Sequence, residues 1–179
     1  GSVNMAGTGA LTVSNLDNQG YITMSTGALN ISSATNMGSF MFNTAREIPV
    51  YNYYILDLSD VSGSPFTAGS NLSAESLTLG HSTLNMGDND LTANNLYTAA
   101  YYDDGWGTSY PAGSVQMGAG ALTVGTLTNL GNVNMGSGAL TVSNLDNQGW
   151  IDVGTGALNL STITNMGYFM FHAAREIPD

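Results

Sequence analysis

Apolar residues along this chain alternate over short runs that glycine interrupts. Leu11 and Val13, Ile22 and Met24, and Leu29 and Ile31 each stand two apart, with Gly-Ala-Leu or Thr-Gly-Ala at the breaks. Alternation over runs this short predicts strands rather than helices, because successive strand side chains point to opposite faces. Glycine at the breaks admits turn conformations. GSVQMGAGALTVGTLTNL (113–130), GNVNMGSGALTVSNLDNQ (131–148) and GWIDVGTGALNLSTITNM (149–166) are copies of one unit of constant length. GSVNMAGTGALTVSNLDNQ (1–19) is one position longer, GYITMSTGALNISSATNM (20–37) has the standard length, and GSFMFNTAREIPV (38–50) begins like another. A unit so short cannot bury its own apolar face, so copies must stack. The expected fold is all-β: a parallel β-solenoid with coils of about 18 residues, some ten of them, rising about 4.8 Å each.

A left-handed hexapeptide helix, three sixes to the coil, fits the same repeat length, but it needs an aliphatic at every sixth position. The sixth residue from Leu11 is Asp17 and from Val13 is Gln19, so this coil is read as two or three unequal strands. One polar column runs through the units: Asn18, Asn36, Asn129, Asn147 and Asn165, followed two places on by Gly20, Gly38, Gly131, Gly149 and Gly167. Stacked coils would let these amides hydrogen-bond along the axis as an asparagine ladder, with the glycines at the corner.

A longer period contains the short one. VSNLDNQGYI (13–22) returns as VSNLDNQGWI (142–151), and NMGSFMFNTAREIP (36–49) returns at the same offset as NMGYFMFHAAREIP (165–178). The chain therefore divides into first coils (1–50), an irregular middle (51–112) and second coils (113–179), in which 131–179 copies 1–50. In the middle, YNYYILDLSDVS (51–62) is a strong strand run, and Leu77, Leu79, Leu84 and Leu91 are inward candidates. AYYDDGWGTSYPAG (100–113) has the make-up of a protruding loop. Nine of the 16 aromatics and seven of the 13 acids fall between 51 and 112, which makes the middle an elaborated face on a plain rod.

Composition narrows the function classes. Two arginines and no lysine against 13 acids leave a net charge of −11, which argues against nucleic acid and against an anionic membrane surface. No apolar run is long enough to span a bilayer. Without cysteine there is no disulfide, thiol nucleophile or thiolate metal site. Few sites for trypsin-like proteases suit an exposed extracellular life. Met5, Met117 and Met135 recur at matching positions and are read as core filling. No signal peptide or initiator Met is visible, so the chain is read as a mature fragment or a window of something longer.

The unit G-x-V-x-M-G-x-G-A-L-T-V-x-x-L-x-N-x resembles the coils of filamentous-haemagglutinin-type adhesins and autotransporter passenger domains, over about 1–42 and 113–171. That resemblance implies a right-handed parallel β-solenoid on a cell surface. LNMGDNDLT (84–92) is similar to a phrase of phage tail fibres and variable pilus-tip proteins. What these groups share, and all that is carried over, is a fibrous, extracellular, adhesive role, bacterial, archaeal or phage.

Candidate sites are few. Tyr101, Tyr102, Trp106 and Tyr110 beside acids suit stacking on a glycan. Asp88, Asp90, Asp103 and Asp104 are hard oxygen donors that could hold calcium, although neither an EF-hand loop nor a calcium β-roll motif is present. Arg46-Glu47 and Arg175-Glu176 are read as junction anchors between rod segments. Polysaccharide cleavage would need paired carboxylates at a groove. Asp88 and Asp90 could share a strand face, but cations to steer an acidic polymer are missing. His81 and His172 make no site, and no catalytic residue is expected. The expected function is a structural filament built by self-association, head to tail or as adjacent repeats; the alternative is an adhesin or tail-fibre shaft that binds a surface glycan through the 97–110 loop. No other cofactor is expected.

Overall fold

The computed structural model describes residues 1–60, 64–106 and 108–172. Every described element is a strand, and no helix is long and apolar enough to cross a membrane among the described residues. The strands stack in parallel as a β-solenoid. One sheet has nine strands in the order Ser2–Met5, Tyr21–Met24, Ser39–Phe42, Asn52–Leu58, Leu72–Leu79, Leu91–Thr98, Leu122–Asn129, Leu140–Asn147 and Leu158–Asn165. A second has seven, from Glu47–Ile48 through Phe66–Ala68, Thr83–Gly87, Ser114–Met117, Asn132–Asn134 and Trp150–Asp152 to Tyr168–Met170. At the usual strand spacing of about 4.8 Å, nine levels make a rod about 40 Å long.

The repeat unit explains why the coil has three walls. In Leu122–Asn129, Leu122, Val124, Leu127 and Asn129 are buried. Inward positions two apart, then three, then two mark a bend inside one strand, so its halves lie on different walls. Register follows sequence: Leu127 pairs with Leu145, and Leu145 with Ile163, one repeat unit further each time. In the first coils the same two halves are separate short strands, Leu11–Val13 paired with Leu29–Ile31 and Leu16–Asp17 paired with Ala34–Asn36. The third wall is the short strand that opens each unit.

The middle coils too are part of the solenoid, irregular in length and with a register shift between Asn85 and Gly87. Leu72–Leu79 and Leu91–Thr98 are full-length bent strands like those of the repeat units, and Leu77, Leu79, Leu84 and Leu91 are fully buried. Leu56 pairs with Leu77, Leu77 with Leu96, and Leu96 with Leu127. The extra length of the last coil is an antiparallel hairpin, Tyr102–Asp103 with Ser109–Tyr110. Met117 and Met135 are buried in the core and Met5 packs against it.

One coil breaks the phase. Ser39–Phe42 opens a unit, as Tyr168–Met170 does in the second copy, yet the first lies in the nine-stranded sheet and the second in the seven-stranded one. The cause is the segment after Phe42. Phe40 pairs with Leu56, sooner than a whole repeat unit would allow, so Glu47–Ile48 takes the opening-strand role one wall further round. The interior there holds the largest side chains: Phe40, Phe42 and Phe66 are fully buried. Tyr53 sets its edge against Phe40 at 5.7 Å and Phe42 at 6.4 Å. Aromatic bulk fills the space left where the walls change partners.

Asp57, on the same wall, is a strained point. Burial raises its pKa, partly offset by a hydrogen bond from Ser59, and its Oδ1 is buried with no partner among the described residues. A carboxyl whose folded pKa is raised destabilises the fold above that pKa, and the penalty vanishes once pH falls below the unfolded value. Asp57→Asn is therefore expected to raise Tm by a few degrees at pH 7 and to leave it unchanged near pH 3. Thermal melts of both proteins across that range check it; an equal shift at both pH values would contradict it.

Candidate functional site

The asparagine column is a ladder over part of its length. Asn129 and Asn147 are both fully buried. The Asn129 amide donates from Nδ2 to Asn147 Oδ1 at 2.7 Å and to the Trp150 carbonyl at 3.1 Å, and its Oδ1 accepts from the Thr98 hydroxyl at 2.5 Å. Asn147 donates in turn to the Met166 carbonyl at 2.5 Å. Thr98, which no repeat spacing singles out, is the start of the ladder and receives the Gly131 N–H at 3.2 Å. Asn18 repeats the bonding of Asn147, donating to Met37 O at 2.7 Å, and also accepts from Gly20 N at 3.0 Å. Asn36 and Asn165 lie outside the ladder: each is exposed and donates to the carboxylate of Asp17 or Asp146 at 2.7 Å. A register shift between Leu16 and Asp17, and again between Leu145 and Asp146, moves both by one position.

The glycines of this column sit where coils touch. A Cβ on Gly20, Gly131 or Gly149 would run into the backbone carbonyl of Gly1, Gly113 or Gly131 in the coil beneath. Gly38 and Gly167 turn the corner with φ of 59° and 52°, a region that disfavours other residues.

The hairpin presents its aromatics unequally. Trp106 is 93% exposed and Tyr101 61%, whereas Tyr110 stacks on Tyr102 at 6.0 Å and packs against His81 at 5.2 Å. The His81 ring also hydrogen-bonds the Pro111 carbonyl at 2.9 Å. Tyr110 and His81 thus fasten the hairpin to the rod and leave Trp106 at its tip. Asp103 and Asp104 build the turn: Asp103 Oδ1 accepts from Gly105 N, and Asp104 Oδ1 from Trp106 N and Thr108 N. Those N–H bonds hold the Asp104 carboxyl below its usual pKa.

Asp88 and Asp90 do different work. Their Oδ1 atoms accept the N–H groups of Ala119 at 2.9 Å and Ala121 at 2.8 Å, carrying the rod's rungs across the inserted hairpin. Among the described residues no three carboxylate or imidazole groups converge to hold a metal ion, and the four candidate aspartates each accept backbone N–H bonds.

Arg46 lies at the phase break. Its guanidinium donates to the carbonyls of Ser25 at 3.1 Å and Gly27 at 2.6 Å in the preceding coil and covers the Phe42 ring at 5.0 Å. Burial lowers its pKa, though it stays a cation at any ordinary pH. Glu47 is exposed and meets Arg46 through its backbone, its carbonyl accepting from Nε at 3.3 Å; its strand pairs with Phe66–Ala68. Arg175 and Glu176 lie outside the described residues. His172 bonds Asp152 at 2.9 Å on the surface. Beside the break, Asn18, Gly20, Asn36, Ser39, Asn52 and Tyr54 help line a cavity of about 460 Å³. Compared with known protein families, curated proteins and solved structures, the chain matches none.

Proposed function

We propose that this chain is a structural segment of an extracellular fibre at the surface of a bacterium, an archaeon or a phage. It continues the rod by self-association, end to end or as one stretch of a longer tandem array, and has no catalytic role. The observation that carries this reading is the pair of open ends. Val3 at one end and Ile163, Met166 and Met170 at the other are 36–48% exposed, on or beside strands whose backbones have a neighbour on one side only among the described residues. Unpaired parallel edges with apolar rims favour adding another coil. Sedimentation of the purified chain over a wide concentration range should show growing rods. A monodisperse monomer throughout would sink the proposal.

A second reading is supported by Trp106, a large apolar side chain held in solvent by a turn that Asp103 and Asp104 organise. Here the rod is the shaft of an adhesin or tail fibre, and the hairpin stacks on a surface glycan. On a glycan array the intact chain should bind a defined set of sugars. Trp106→Ala should abolish that binding while changing stability by less than about 0.5 kcal/mol, since the ring touches little of the fold. No binding, or binding that survives the substitution, counts against it.

A further inference from the structure

Two stretches of nearly the same sequence meet different surroundings. In the first coils, Ser39–Phe42 is covered by Asn52–Leu58, with Ser39 paired to Ile55 and Met41 to Asp57. The Tyr51 hydroxyl donates to Ile31 O at 3.3 Å and accepts from Ile31 N at 2.9 Å, clipping the same segment to the neighbouring wall. In the second coils, Tyr168–Met170 pairs with Trp150–Asp152 and ends its sheet among the described residues. The residues that receive the cover recur: Phe40 returns as Phe169, Ile31 as Leu160 and Met37 as Met166. Their burial does not. Met37 is 8% exposed and Met166 42%. Phe40 is fully buried, and Phe169 only partly.

We propose that the open end formed by Leu158–Asn165 and Tyr168–Met170 is a docking surface for the Tyr51–Leu58 segment of a following long repeat, added one wall out of phase; within a folded copy the same segment is already held on both edges, by Ser39–Phe42 and Leu72–Leu79. This rests on the fibre reading and names which part of the next repeat continues the rod. One residue differs on the receiving strand, Tyr168 in place of Ser39, and the fold allows it. The cavity of about 460 Å³ in the first coils opens beside Ser39, so a ring projecting from that position has room. Tyr168 already stacks on Trp150 at 6.0 Å, which aims it along that column. The consequence is geometric. Each long repeat advances by one wall, so its hairpin is carried round the rod by roughly a third of a turn.

The test uses the absence of native cysteine. Strands in register lie about 4.8 Å apart, within reach of a disulfide. Full-length chain carrying Tyr168→Cys or Met170→Cys is mixed, under a glutathione redox buffer, with a synthetic peptide of residues 51–60 carrying Ile55→Cys or Asp57→Cys. The proposal expects the matched pairs, 168 with 55 and 170 with 57, to cross-link about tenfold faster than the crossed pairs. Equal rates in all four mixtures, or no cross-link in any, overturn it. A parallel mixture of the Tyr168→Cys chain with a Ser2→Cys chain separates the two levels. If only that mixture cross-links, the first coil caps the end in phase, and the docking proposal falls while the fibre reading stands. If nothing cross-links, both fall.

Discussion

Replacing Asn129 by leucine is expected to destabilise the rod by about 3 kcal/mol. The side chain is fully buried and bonded on both sides, to Thr98 below and to Asn147 and the Trp150 carbonyl above. Leucine keeps the branched shape of asparagine, but the Thr98 hydroxyl loses its acceptor, and Asn147 Oδ1 and the Trp150 carbonyl lose their donor, in a buried site. Unmet buried polar groups cost about 1–3 kcal/mol each, and here one substitution takes a partner from three groups. Asn147→Leu should cost a comparable amount, and the double variant less than the sum, because each single change already breaks the shared bond. Asn165→Ala, outside the ladder and exposed, should change stability by less than about 0.5 kcal/mol. Denaturant titration of the four variants checks the set. Equal effects for Asn129 and Asn165 would show that the column acts as ordinary turn asparagine.

Gly149→Ala should cost about as much, roughly 3 kcal/mol, for a steric reason. A Cβ at this position meets Leu130 C at 2.8 Å and Gly131 N at 2.9 Å, as well as the Gly131 carbonyl oxygen. All three are backbone, so no side chain can swing aside. Gly149 N–H also donates to Asn129 O at 2.9 Å and the neighbouring Trp150 N–H to Gly131 O at 2.9 Å, so spreading the coils stretches rungs next to the ladder. A loss under about 1 kcal/mol in the same titration would mean that the corner yields more easily than this contact implies.

How much of the rod is legible in the chain depends on how local the cause is. The wall-forming strands are legible because alternation within ALTV or ALNL and the glycine that follows or precedes it lie inside one unit. Alternation alone allows two or three strands per coil, since the bend at Gly125 and Thr126 shows only as a skipped inward position. The asparagine column is half legible. Spacing places Asn147 and Asn165 alike, but the shift after Leu145 pairs Asn165 with Asp146 instead. Nothing local reveals Asp88 and Asp90 as rung acceptors, because their N–H partners, Ala119 and Ala121, stand beyond the hairpin. The phase break is hidden for the same reason. Ser39–Phe42 and Tyr168–Met170 read alike, and what places them on different walls is the stacking of whole coils around them.

The hairpin is legible as a loop from its glycine, proline and aspartates, yet its division of labour is not. Tyr110 and Trp106 look equivalent in sequence. Only the position of His81 on the neighbouring coil decides that one ring is held and the other faces solvent.

Fibre diffraction from aligned assemblies of the purified chain reads how the strands lie relative to the fibre axis. Coils stacked end to end place every strand across the fibre, so a reflection at about 4.8 Å should lie along the fibre axis, and Gly149→Ala should weaken or abolish the assemblies that give it. Absence of ordered assemblies, or a spacing of about 4.8 Å running across the fibre instead of along it, would contradict a rod that grows by adding coils.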